Sequence, residues 1–227
     1  MKTKMIFAAL LLAVAFATPA MAQHDYSGPW VGMNIGQGSG DGLKDAFNVE
    51  NAKGKFVGFG AGYDWQRGNV VFGIVGNISG ARINGERTVS TLYQSSDSDY
   101  TSRTTVDTKA TLDRFYTLRG RLGYVAGPWL LYGTGGIASA RVKTGRIYTD
   151  RYSYTDNGGN PHSGVDVSES KQMLNTTGWV FGVGAEYAIN TNWRAKMEVL
   201  NLQVQDSYYA RGVAQFRIIQ AGVEYKF

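Results

Sequence analysis

The sequence predicts an all-β fold, an eight-stranded antiparallel transmembrane β-barrel of the up-and-down type. Segments of about ten residues alternate large apolar side chains with small or polar ones, the pattern of a wall with one face to lipid and one to a lumen. Past residue 22 no run of about 18 apolar residues occurs, so the membrane cannot be crossed by a helix. The links between segments alternate between short and long, as hairpins in a membrane barrel do. Composition agrees: 30 of 227 residues are Gly, nearly twice the usual share of about 7%, beside 14 Tyr, 10 Phe and 5 Trp.

Residues 1–22 read as a leader that is cleaved. Lys2 and Lys4 make the basic start, Met5 to Phe16 is apolar, and Ala20-Met21-Ala22 supplies small residues at a peptidase site. The barrel domain then occupies 23–227. The 23 basic residues lose Lys2 and Lys4 with the leader, leaving 21 against 18 acidic, and a bias of +3 argues against nucleic acid as a partner.

Eight strands are expected at 29–37, 55–66, 69–80, 110–125, 128–141, 174–188, 193–205 and 213–227. The first carries Trp30-Val31-Gly32-Met33-Asn34-Ile35-Gly36. In the second, Val57, Phe59, Ala61, Tyr63 and Trp65 share one face while Gly58, Gly60, Gly62 and Asp64 share the other. The third follows Arg67-Gly68, and the fourth runs through Leu118-Arg119-Gly120-Arg121-Leu122-Gly123-Tyr124. The short link Ala126-Gly127 leads to the fifth, Trp129 to Ala138 and beyond. The sixth sets Thr177, Trp179, Phe181, Val183, Ala185 and Tyr187 against Gly178, Val180, Gly182, Gly184 and Glu186. Asn190-Thr191-Asn192 turns into the seventh, and the eighth sets Ile219, Ala221, Val223, Tyr225 and Phe227 against Gln220, Gly222, Glu224 and Lys226. Four long outside loops complete the expectation.

The faces assign the environment. Trp65, Trp129, Trp179, Trp193, Tyr63, Tyr124 and Tyr187 are read as strand-end residues beside the short turns, an aromatic girdle at one membrane interface. A soluble eight-stranded barrel with its aromatic face inward around a ligand is the rival. By parity Asp64, Arg119, Arg121, Glu186, Arg194, Lys196, Glu198 and Glu224 point into the lumen, mostly near the short-turn end. An eight-stranded barrel is narrow enough for side chains to fill it, so these charges are expected to pair as a plug. The alternative is a pore whose charge rings select ions, favoured by luminal glycine, which leaves space.

No cysteine and two histidines, His24 and His162, leave no thiolate zinc site and little for a metal or a histidine-based triad. Neither Gly-x-Ser-x-Gly nor His-Glu-x-x-His occurs, and no catalytic residue is assigned. In the first loop Gly36, Gly38, Gly40 and Gly42 alternate ahead of Lys44, without the spacing of a phosphate cradle; a turn of helix is expected near 43–47. In the second, Asp97 and Asp99 lack the Gly and bidentate Glu of a calcium loop. In the third, Tyr148, Tyr152, Tyr154 and His162 lie with Arg146 and Arg151, residue types that ligate heme iron and pair with propionates.

The terminal run Ile219, Ala221, Val223, Tyr225, Phe227 resembles the signal by which the barrel assembly machinery recognises its substrates. Leu118 to Tyr124, Trp129 to Ala138, Gly178 to Ile189, Trp193 to Glu198 and the Trp30-x-Gly32 opening are similar to the porin-like small outer-membrane barrels common in alphaproteobacteria. That family includes major surface antigens and hemin-binding proteins. The resemblance implies an outer-membrane location, lipid and the assembly machinery as partners, host or surface ligands met through the loops, and hemin as a candidate ligand of the third loop. Val199-Leu200-Asn201-Leu202 departs from the family, where a Tyr-containing run is common, and a different shape is expected in upper strand seven.

Overall fold

A strand that alternates lipid-facing and lumen-facing residues is stable in a bilayer only when every backbone group is paired, and closing the sheet on itself achieves this. The computed structural model describes residues 24–40, 52–95, 100–156, 158–205 and 213–227. Its strands are β1 (Gly28–Gly40), β2 (Ala52–Arg67), β3 (Val70–Gln94), β4 (Thr101–Ala126), β5 (Trp129–Thr155), β6 (Pro161–Ala188), β7 (Trp193–Gln205) and β8 (Val213–Lys226). Each pairs antiparallel with its chain neighbour, and β1 pairs with β8, so the barrel wall has no free edge. The leader, the helical turn near 43–47 with Lys44, and Asp97 with Asp99 lie outside the described residues.

The short links stand where expected. Gly68 and Gly127 turn the chain with φ of 59° and 60°, a left-handed conformation that suits residues lacking a Cβ. Between β6 and β7, the Asn190 side-chain oxygen accepts hydrogen bonds from the Asn192 and Trp193 amides at 3.0 and 2.9 Å.

The long links are not as expected. Residues 81–109 and 142–173 are mostly strand, since β3 runs to Gln94, β4 starts at Thr101, β5 runs to Thr155 and β6 starts at Pro161. Four strands of 25 to 28 residues therefore continue beyond the barrel wall as one sheet. β6 runs from Pro161, whereas its partner β7 ends opposite Thr177, so the sheet stands about 50 Å of strand above it. The extension is held by backbone ladders and polar cross-strand pairs: the Thr88 hydroxyl bonds the Asp107 carboxylate and Ser90 bonds Thr105. Thr, Val and Tyr suit a pleated surface, but both faces here mix polar residues with exposed apolar ones such as Leu92, Val165 and Val167, so no apolar alternation marks the strands.

The outward face is a clean apolar band. On β2 it runs from Trp65 through Tyr63, Ala61 and Phe59 to Val57, which is about 27 Å along the strand and about 21 Å of height at a tilt near 40°. Trp65, Trp129, Trp193, Tyr63, Tyr124 and Tyr187 are exposed on this face near the short-turn end. Trp179 is a correction. It lies opposite Ile137 and Gln203, eight pairs above Trp129–Tyr187, and belongs to the other rim of the band.

Candidate functional site

The lumen is filled in layers. At the short-turn mouth the segment before β1 folds inward. Tyr26 is fully buried against Val71, Val125, Leu130, Tyr132 and Ala188, and its hydroxyl donates to the Pro128 carbonyl at 2.8 Å. The Gln66 side chain ties this strap to β2 by accepting from the Tyr26 amide and donating to the His24 carbonyl. The Lys226 ammonium reaches the Asp25 carboxylate at 3.2 Å.

Above the strap lies the charged layer. All eight residues expected there are present and buried: Asp64, Arg119, Arg121, Glu186, Arg194, Lys196, Glu198 and Glu224. Arg121 bridges Asp64 and Glu186, with its Nε donating to Asp64 at 2.7 Å. Arg194 sits between Asp64, Glu186 and Glu224 at 3.3, 3.4 and 3.3 Å, and Lys196 bonds Glu224 at 2.7 Å. Arg119 holds Glu198 through two contacts, at 3.2 and 3.4 Å. Four cations thus face four carboxylates, and the layer is neutral. Isolated charge in so narrow a space would be costly, whereas this arrangement gives every ion an opposite partner.

Sequence parity missed the aromatic centre of the layer. Trp30 is 1% exposed, with the guanidinium carbons of Arg121 and Arg194 at 5.0 and 5.6 Å from its ring centroid and the Lys196 ammonium at 5.3 Å. Such cation–π contacts add attraction in a desolvated site. Tyr132 donates to Glu198 at 2.8 Å, and Gln220 donates to the other Glu198 oxygen. The signal was available, because Trp30 and Tyr132 occupy luminal positions in their strands, where small residues otherwise prevail.

Next come amides and hydroxyls. Asn34 donates to Asn77 at 3.4 Å, with Ser79 and Thr117 also buried at this level. Above them the lumen is apolar rather than polar, which the sequence reading did not anticipate. Phe56, Ile83, Leu112, Phe115, Leu200, Leu202, Phe216 and Ile218 form a buried cluster with small residues between them. The edge of the Phe56 ring meets Phe115, with centroids 5.2 Å apart. Gly36, Gly38 and Gly40 belong to this layer and form no cradle for phosphate. A Cβ on them would run into Phe56, Ile83 and Phe216 respectively. Likewise a Cβ on Gly62 would meet the Trp30 ring and one on Gly184 the Tyr132 ring, so luminal glycines make room for plug side chains. Leu200 and Leu202 explain the Val199 to Leu202 run: β7 continues regularly through it and supplies the apolar layer.

The residues weighed as hemin contacts are on the β5–β6 ribbon. Tyr152, Tyr154 and His162 gather at its tip, with ring centroids 6.4 Å apart for the tyrosines and 5.0 Å for Tyr154–His162. Tyr148 is not with them; it lies opposite Val106 and Ser168, about 13 Å of strand from Tyr152. Arg151 alternates to the other face. His162 Nε2 is 3.0 Å from Asp156, whose Oδ1 also accepts from the Gly158 and Asn160 amides at 2.8 Å each. The His162 hydrogen bond leads the causes that hold the Asp156 carboxyl down at about 2. Ile219, Ala221, Val223, Tyr225 and Phe227 occupy one outward face at the closing seam beside β1, with Phe227 67% exposed.

Known proteins similar in sequence agree with this architecture. The family model described as outer membrane protein beta-barrel domain matches residues 8–227. The 31 kDa outer-membrane immunogenic protein of Brucella melitensis biotype 1 is 29% identical over 255 aligned residues, spanning 95% of this chain and 97% of that protein. The 22 kDa outer membrane protein of Rhizobium leguminosarum bv. viciae is 28% identical over 187 residues, spanning 81% and 68% respectively. Among solved structures, the attachment invasion locus protein Ail of Yersinia pestis aligns with 88% of this chain and 99% of its own at 13% identity, with a TM-score of 0.49.

Proposed function

The chain belongs to the outer-membrane β-barrel domain family, and from that membership and the filled lumen we propose that it is a closed, non-conducting anchor that displays its β-ribbons at the cell surface. As an integral barrel of the Gram-negative outer membrane, it exposes an apolar band to lipid. The single observation behind the closed reading is that two chemically different layers block the same lumen. Ions would have to displace a neutral, mutually paired charge layer and then pass an apolar layer led by Phe56, Phe115 and Phe216. We place no reaction in the lumen, since Asp64, Glu186, Glu198 and Glu224 are each held by a cation and enclosed by strap and wall. The surface role rests on the ribbons, whose mixed polar and apolar faces and aromatic tip are the parts of the chain farthest from the membrane.

The test is single-channel recording of refolded residues 23–227 in a planar bilayer. A folded, heat-modifiable barrel that stays silent supports the anchor. Steady, salt-dependent openings whose ion preference shifts on Arg119→Gln would make it a pore instead.

A further inference from the structure

Just above the apolar band, the outward face carries a row of cations across four adjacent strands. Lys55 on β2 lies directly opposite Arg82 on β3. Arg114 on β4 pairs with Gly80, the outward neighbour of Arg82, and lies directly opposite Arg141 on β5. Lys53 and Lys143 stand one outward step higher on the same strands, and all six side chains are exposed. The next outward residues below them are apolar or small: Val57, Gly80, Tyr116 and Ser139, with Ile78 and Ile137 beneath. Two residues of strand span about 7 Å, so these charges sit at the height where acyl chains give way to headgroups.

Two features set the row apart from ordinary surface charge. Like charges directly opposite one another destabilise a sheet, and Lys55–Arg82 and Arg114–Arg141 are two such pairs. The carboxylate that answers them is Asp113, at a register shift in β4, 3.2 Å from Lys143 and 3.7 Å from Arg114. Lys53, Lys55, Arg82 and Arg141 therefore have no carboxylate partner among the described residues, and the side open to these four cations is lateral, in the plane of the lipid.

We infer that this row binds the phosphate groups of an anionic glycolipid of the outer leaflet, whose acyl chains lie on the apolar band directly below. Guanidinium groups suit phosphate because their planar fork donates two parallel hydrogen bonds, and the ammonium groups add charge beside them. Above Lys143 the sheet surface opens into a groove of about 500 Å³, where Lys109 and Lys171 are each ion-paired with a glutamate. Its lining is mainly aliphatic, from Ile147, Met173 and the lysine stems, with these ions at its edge, a bed for the apolar faces of the sugar part of the same molecule. The inference does not depend on whether the lumen conducts.

The test uses residues 23–227 refolded in neutral maltoside micelles, with lipid A as the probe and its dephosphorylated form as the comparison. Native mass spectrometry and thermal unfolding report binding. The phosphorylated lipid is expected to bind about tenfold or more tightly than the dephosphorylated one, and Lys55→Gln/Arg82→Gln/Arg114→Gln/Arg141→Gln to lose that preference. Arg67→Gln/Arg103→Gln/Arg146→Gln/Arg151→Gln, an equal charge change at exposed positions away from the row and the groove, is expected to keep at least half of it. The single variants Arg82→Gln and Arg141→Gln, which leave the fold almost untouched, are each expected to weaken binding severalfold. Equal affinity for the two lipids, wild-type affinity in both single variants, or equally tight binding of inorganic pyrophosphate would overturn the inference.

Discussion

Arg121 holds Asp64 and Glu186 together with its guanidinium beneath Trp30, so its replacement shows what the charge layer is for. Arg121→Glu leaves five carboxylates facing three cations inside the lumen. Breaking a buried pair costs about 3–5 kcal/mol, so this variant is expected to refold poorly, or to unfold at markedly lower urea on a heat-modifiability gel. Unchanged resistance would mean that the layer contributes nothing to folding. A second residue-scale prediction concerns Asp156, which collects His162, Gly158 and Asn160 at the ribbon tip. Its carboxyl falls from an ordinary 3.8 to about 2 on folding. A depressed carboxyl stabilises the folded tip fully above pH 3.8 and loses that contribution as pH falls through 2. Amide protection at Gly158 and Asn160, taken relative to the intrinsic exchange rate at each pH, is expected to hold at pH 5 and to fall between pH 3.8 and 2, a change that Asp156→Ala abolishes.

The elements separate into a wall that carries the fold and a ribbon that rides on it. The wall strands β1, β2, β7 and β8 are 13 to 16 residues long and bury a luminal face, whereas the outer halves of β5 and β6 are largely exposed. Replacing residues 147–169 by an Asn-Gly turn is therefore expected to shift the barrel's thermal midpoint by only a few degrees, because little apolar area is lost. A collapse of the barrel would show that the ribbon is part of its folding unit. The wall is sensitive where glycine meets plug: Gly36→Val forces a branched side chain against Phe56 and the Ile219 carbonyl. Overpacking of this kind costs about 1–3 kcal/mol, and Phe56→Leu in the same chain is expected to recover part of it. Urea midpoints of the single and double variants measure both.

At the scale of the whole molecule, two stacked layers mean that thinning one does not open the lumen. Phe56→Ala/Phe216→Ala removes two of the three phenyl rings of the apolar layer, at about 3–5 kcal/mol each, yet leaves the ion-paired layer and the Tyr26 strap in place. The variant is expected to remain silent in planar bilayers if it folds. Conductance in it would place the barrier in the apolar layer alone.

Strand identity, luminal parity and membrane residence were legible along the chain, because a period of two assigns each residue of a strand to one face with no long-range information. That is why all eight luminal charges and the lipid-facing C-terminal run could be named from residue numbers alone. Other features were not legible. The ribbons carry polar residues on both faces, so pairing with a neighbouring strand, which alternation does not report, made them strand rather than loop. Trp179 sits at the far rim because height depends on how many residues lie between it and the turn. The luminal glycines read as open space, and only the arrival of Phe56, Ile83, Phe216 and Trp30 from other strands showed them to be sockets. Which face a residue takes is a local property of the backbone; what it meets there is set by the register of the closed ring.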